Sequence, residues 1–324
     1  MFKRAITSLL ALPILISLLA STTVGAATST SGNGILLSPV RYDLTIDPGK
    51  SQTIKFNVQN VTNSKSTYQV TIAGFTAAND TGAPQIIVNP KQYNPYGISQ
   101  FISPIPDVTI APHATSTVDI TINIPSNTPG GGYYGAARFL VVNQGSSQSV
   151  NLASSIAGLI LITVPGPKMN QDLKLTQFNV SQNGQSSGLF YSSGGIDANA
   201  YFANAGNVQI EPFGKIQVKN MQGNVIETKT INNSNPPGNV LPGTTRLFSA
   251  HLTGLGPVGK YTVQGFFGYG SKGQLLSASA TFYVIAPWII ILAIVLIVLI
   301  IVAIFFMPKI FRLWYKRSIR KAQR

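Results

Sequence analysis

The residues that first invite a chemical reading are Gly130, Gly132 and Gly135, which spell G-x-G-x-x-G within SNTPGGGYYGAARF at 126–139. That spacing holds a phosphate chain when a helix follows at once, because the helix N-terminus meets the pyrophosphate. Here AARFLVVNQG follows, and Phe139, Leu140, Val141 and Val142 favour a strand. No Gly-Lys-Ser/Thr follows the glycines, and Ala137 stands where a kinase loop requires valine. Nucleotide chemistry is therefore set aside. Asn127-Thr128-Pro129-Gly130 reads as a turn, and the other glycines let the chain bend or pass close to a neighbour. Tyr133 and Tyr134 are the residues of this segment expected to make contacts.

Other chemistry is sparse. The two histidines, His113 and His251, lie far apart, and the chain has no cysteine, so a transition-metal site lacks its usual ligands. The nine acids are scattered, with Asp43 and Asp47 nearest one another. A pair of carboxylates for glycoside hydrolysis meets only in space, so a wall-glycan hydrolase stays open as an alternative. There is no G-x-S-x-G elbow. LPGTT at 241–245 nearly matches a sorting signal, but Thr245 replaces its glycine and the stretch launches a strand. No catalytic residue, cofactor or metal is expected. One aromatic cluster, Tyr93, Tyr96 and Phe101 in NPKQYNPYGISQF, either caps the end of a β-structure or offers rings to a sugar or a protein partner.

The elements that must position these groups are legible from period and punctuation. Ile54, Phe56 and Val58 alternate with Thr53, Lys55 and Asn57, and Val118, Ile120 and Ile122 alternate with Asp119 and Thr121. Asp47-Pro48-Gly49, Ala111-Pro112-His113 and Leu241-Pro242-Gly243 are turns that launch such runs. No sustained helical period occurs between 35 and 285, although Tyr96–Ile105 has room for a single helical turn. Pro165 and Pro167 interrupt the pattern. The reading is all-β: a first sandwich at 35–165 and a second at 170–285.

The ends carry targeting signals. Lys3 and Arg4, the apolar run 5–20 and a small-residue site make residues 1–26 a signal peptide, with a retained anchor as the alternative, and 27–34 a leader. Residues 288–307, WIIILAIVLIVLIIVAIFFM, contain no polar side chain and match the hydrocarbon core of a bilayer. The tail 308–324 carries Lys309, Arg312, Lys316, Arg317, Arg320, Lys321 and Arg324 without an acid, which places it in the cytoplasm and the bulk of the chain outside. Of 23 Lys and Arg residues, only 14 face the nine acids in the exported part, a balance of +5 instead of the overall +14. The basic character is a matter of topology, and no nucleic-acid partner is expected.

SPVRYDLTIDPGKSQTIKFNVQN resembles the opening of the first domain of WxL-interacting proteins of Gram-positive bacteria. IAPHATSTVDITINIPSNTPGGGYYGAARFLVV is similar to that domain's later strands, and LPGTTRLFSAHLTGLGPVGKYTVQGFFGYG to the second domain. The resemblance implies two tandem Ig-like β-sandwiches, the first chaperone-like, followed by one transmembrane α-helix. It also implies binding of peptidoglycan through the first domain and of a secreted surface protein through the second. The expected function is a membrane-anchored, non-enzymatic surface binding protein. A tethered assembly chaperone acting by strand-edge pairing is the alternative from another class.

Overall fold

The computed structural model describes residues 34–87, 94–142, 155–192 and 194–322, with side chains of the final helix to Phe311. The expected signal peptide, the leader before Gly34, and Tyr93 lie outside the described residues. In chain order the first nine strands are β1 (Ile35–Ser38), β2 (Arg41–Thr45), β3 (Ser51–Asn60), β4 (Ser66–Ala77) and β5 (Pro84–Ile87), then β6 (Val108–Ile110), β7 (Thr115–Asn123), β8 (Gly131–Val142) and β9 (Ser155–Val164). β1, β3 and β7 form one sheet, and β2-β9-β8-β4-β5 form the other, with β6 also paired to β4.

Alternation decides which way these strands face. Ile54, Phe56 and Val58 of β3 and Val118, Ile120 and Ile122 of β7 are all buried, while the intervening residues are exposed. They meet Tyr68, Val70, Phe139, Ile160 and Ile162 from the second sheet in one apolar core. Phe56 anchors it, with Tyr42 and Phe139 edge-on at 5.2 and 6.0 Å, geometry that aromatic quadrupoles favour. The aromatic loop contributes one 3₁₀ turn, Ser99–Phe101, within the stretch that had room for a helical turn.

The second set comprises β10 (Leu173–Gln182), β11 (Gln185–Ser186), β12 (Leu189–Tyr191), β13 (Ile196–Asn204) and β14 (Phe213–Lys219), then β15 (Val225–Ile231), β16 (Thr245–Leu252), β17 (Val258–Tyr269) and β18 (Gln274–Ile285). Sheets β11-β10-β13-β16 and β12-β18-β17-β14-β15 enclose a separate core around Phe202, Val263, Phe267 and Phe282. The architecture is therefore two all-β sandwiches followed by one apolar helix.

Each sandwich holds a buried asparagine at the end of a strand. Asn60 closes β3, and its Nδ2 donates to the carbonyls of Ser64, Ile110 and Ala111 at 2.7, 3.2 and 3.2 Å. Asn204 closes β13 and donates to Val208 and Val240, both at 2.8 Å. Each Oδ1 accepts the backbone N–H two residues on, from Thr62 or Gly206. These amides satisfy carbonyls that would otherwise be stranded away from water.

Helix α1 (Pro287–Ala322) begins one residue after β18. Its segment Pro287–Phe311 is long and apolar enough to cross a membrane. The helix runs through Pro308 into the basic tail, although Pro308 supplies no N–H to the ladder.

Candidate functional site

The glycine motif builds the seam between the sandwiches. Residues Gly131–Ala137 of β8 are buried without interruption, because both faces of the strand are covered. One face looks into the first core: Tyr133 packs edge-on to Phe101 at 5.2 Å, and its hydroxyl donates to the Pro129 carbonyl at 2.9 Å. The other face carries Tyr134 and Ala136, which cluster with Phe75, Leu161 and, from the second sandwich, Leu241. Tyr134 Oη donates to Gln209 Oε1 at 2.9 Å, and Gln209 Nε2 donates to Thr163 Oγ1 at 2.9 Å. Gly132 N–H donates to the Asn207 carbonyl at 2.7 Å. A Cβ on Gly132 would strike the Tyr134 hydroxyl, and one on Gly130 would lie 2.9 Å from the Gly166 backbone. The glycines are there for close approach, as read from the sequence, but what they approach includes the second sandwich.

Tyr133 and Tyr134, expected from the sequence to make contacts, are packed inside at 9 and 2% exposure, and Phe101, for which the sequence left a capping and a contact role open, is packed inside at 7%. For the two tyrosines the physical reason is that β8 is covered on both faces from Gly131 to Ala137, and Phe101 is held inside by its packing on Tyr133. Burial raises the pKa values of both tyrosines, and Gln209 only partly offsets this at Tyr134. Tyr96 is half-buried, 6.1 Å from the Tyr134 ring. Lys309 lies 5.6 Å over Phe306 on α1. Arg312, Lys316, Arg317, Arg320 and Lys321 belong to the helical continuation, and their side chains lie outside the described residues.

Beside this packed seam lies a polar cleft of ≈ 420 Å³ that sequence reasoning missed. Thr45 and Asp43 from β2 and Thr163 from β9 face Gln209, Glu211, Asn239 and Ser271 across it, with Phe213 at its side. Arg41 organises the cleft. Its guanidinium meets Asp43 at 2.7 Å and Glu211 at 3.2 Å, and Nη1 donates to the Pro237 carbonyl at 2.9 Å. Asn239, with its amide nitrogen toward Glu211, donates to Oε1 at 2.9 Å. Burial raises the Glu211 pKa; Arg41 opposes this and Asp43 adds to it. Arg41 lies between the two carboxylates, and Arg246 stands behind Asn239, its Nη1 donating to the Asn239 carbonyl at 2.8 Å. The cleft is rich in hydroxyls and amides, with the Phe213 ring 57% exposed. Such a surface can accept hydrogen bonds from hydroxyl or amine donors and stack one ring face. Asp43 and Glu211 lie 168 positions apart in the chain, so no local motif could have paired them. Among the described residues no cluster of three or more His, Cys, Asp or Glu is placed to hold a metal.

A second opening is apolar. Phe213, Phe266, Leu275 and Leu276 line a groove of ≈ 680 Å³ on the outer face of the second sandwich, and Phe213 belongs to both openings.

Residues 38–140 match the family model described as the WxL Interacting Protein, peptidoglycan binding domain. No curated protein matches the chain. Among solved structures, the class 5 fimbriae chaperone CfaA is 15% identical over 76% of this chain and 98% of its own, with a TM-score of 0.37. The YadV chaperone is 13% identical over 77% and 100%, with a TM-score of 0.35. The E. coli chaperone DraB is 12% identical over 77% and 96%, with a TM-score of 0.34. Nothing about activity or partners follows from likenesses of this size.

Proposed function

We propose, taking residues 38–140 as a WxL-interacting-protein peptidoglycan binding domain, that this is a membrane-anchored, non-enzymatic surface protein that binds the cell wall. The family match carries the reading. The units are a first sandwich at 35–165 that binds peptidoglycan, a second at 170–285, a membrane span and a cytoplasmic basic tail. The apolar helix supports anchoring, and the seven tail cations support a type I topology. The polar cleft is the wall-polymer site in this reading, since Asp43 and Thr45 of the matched region line it together with amides and hydroxyls suited to a glycan or its peptide. The apolar groove around Phe266 and Leu275 is the surface for a secreted protein partner.

The test is retention of residues 28–285 on purified sacculi. Phe213→Ala should weaken retention about ten-fold, as loss of an exposed aromatic anchor does, while Leu275→Ser leaves it unchanged. No retention of the unaltered protein defeats the wall-binding reading. Released soluble wall fragments would move the protein to the hydrolases, with Asp43 and Glu211 as the pair to substitute.

A further inference from the structure

The outer face of sheet β12-β18-β17-β14-β15 changes character along its strands, and the change is keyed to α1. Only Ala286, buried at 1% exposure, separates β18 from the helix, and the Ile289 N–H bonds back to its carbonyl at 3.0 Å. The register therefore fixes which side chains stand next to the helix start. In the row nearest it, Tyr191 and Val258 flank Ile285; in the next outward-facing row, Leu189 and Lys260 flank Tyr283. Leu189, Tyr191, Val258 and Tyr283 are 48–52% exposed. The third and fourth rows are Thr281 with Thr262 and Ser279 with Gln264, hydroxyls and an amide. Rows on one face lie about 7 Å apart, so the apolar band spans about the depth to which interfacial elements sink into the headgroup region.

We propose that this end of the second sandwich is seated in the bilayer surface, with the partner being lipid. The chain's own connectivity argues for it. Residues joined within a few ångströms to the first turn of an apolar span are held at the level where that span enters the membrane. Trp288, 59% exposed at the helix start, continues the band, and tyrosine and tryptophan are the residues that favour this boundary. Lys260, paired with Tyr283 and exposed, stands among them as the group to meet an anionic headgroup. The Thr281 and Thr262 hydroxyls, 3.3 Å apart, mark where water resumes.

This inference rests on the membrane-anchored reading above, and the test separates the two. The full-length chain is placed in nanodiscs of phosphatidylcholine and phosphatidylglycerol with brominated acyl chains. Trp314→Phe leaves Trp288 as the sole tryptophan; adding Trp288→Phe with Tyr283→Trp, Leu189→Trp or Phe266→Trp gives three further reporters. Seating predicts about two-fold quenching by bromolipid at 283 and at 189, and none at 266, which lies about 20 Å further along the sheet. Trp288 quenched while both 283 and 189 remain open to aqueous iodide overturns the seating and leaves the anchor intact. Reporters shielded from iodide yet unquenched by bromolipid overturn it in favour of a protein partner. Loss of quenching at Trp288 itself defeats the anchor. Two independent reporters guard against a variant that fails to fold.

Discussion

In each sandwich a proline turn launches a strand beside the buried asparagine: Ala111–Ala114 beside Asn60, and Leu241–Thr244 beside Asn204. The match extends to the backbone. Asn60 N–H donates to the Ala114 carbonyl and Asn204 N–H to the Thr244 carbonyl, both at 3.0 Å. The third residue of each turn has positive φ, 56° at His113 and 70° at Gly243. Yet Ala111, Pro112 and His113 are exposed, whereas Leu241 and Pro242 are buried. Leu241 enters the seam cluster with Tyr134. The turn's shape is set by local hydrogen bonding and backbone preference, so it suits water and burial equally; proline is second in both, and the larger first residue, Leu241 against Ala111, is what enters the seam.

That equivalence can be broken most forcefully at the asparagines. Asn60→Ala and Asn204→Ala each leave buried carbonyls without a donor and are expected to cost about 4 kcal/mol, measured by urea unfolding with separate probes for the two sandwiches. A cost below 1 kcal/mol at either site would show that the two devices share geometry but not energetics. Leu241→Ala should cost about 3 kcal/mol by leaving a cavity in the seam, while Ala111→Ser should be neutral; equal effects would erase the contrast between the turns.

Acid should separate the halves too. Burial disfavours the charge on Glu227 in β15, but the Thr253 hydroxyl, Gly254 N–H, Lys229 and Thr253 N–H outweigh it and hold the pKa at about 2. Because the folded pKa lies below the unfolded 4.5, its contribution is complete above pH 4.5 and is lost as pH falls toward 2. The loss amounts to about 3 kcal/mol. Stability measured across that window should fall in the second sandwich and flatten in Glu227→Gln. The smallest effect is at the third turn position: Gly243→Ala should cost about 1 kcal/mol in the left-handed region, although its surroundings are open.

Much of this was legible because it is periodic or punctuated. Alternation in β3 and β7 gave the faces, and the proline turns gave the strand starts. The long apolar run gave the helix, and the resemblance carried by the strand-and-turn stretches of both sandwiches named the family whose model matches residues 38–140. Tyr133 and Tyr134 could not be read, because burial on both faces of β8 depends on a second sandwich that local period cannot report. Arg41, Asp43 and Glu211 were unreadable for a different reason: charge complementarity over such a separation leaves no spacing rule. Asn204 offered a fainter clue, since AGNV after it parallels VTNS after Asn60.

The single residue between β18 and α1 also governs how tension would travel. A pull on the helix reaches β18 with almost no slack and runs along the strand. There twelve registered pairs to β17 and three to β12 lie across the line of load. Bonds arranged this way yield in shear, sharing force among many instead of parting one by one. A load entering β18 from the helix would thus be shared between both neighbouring strands from the first residue onward.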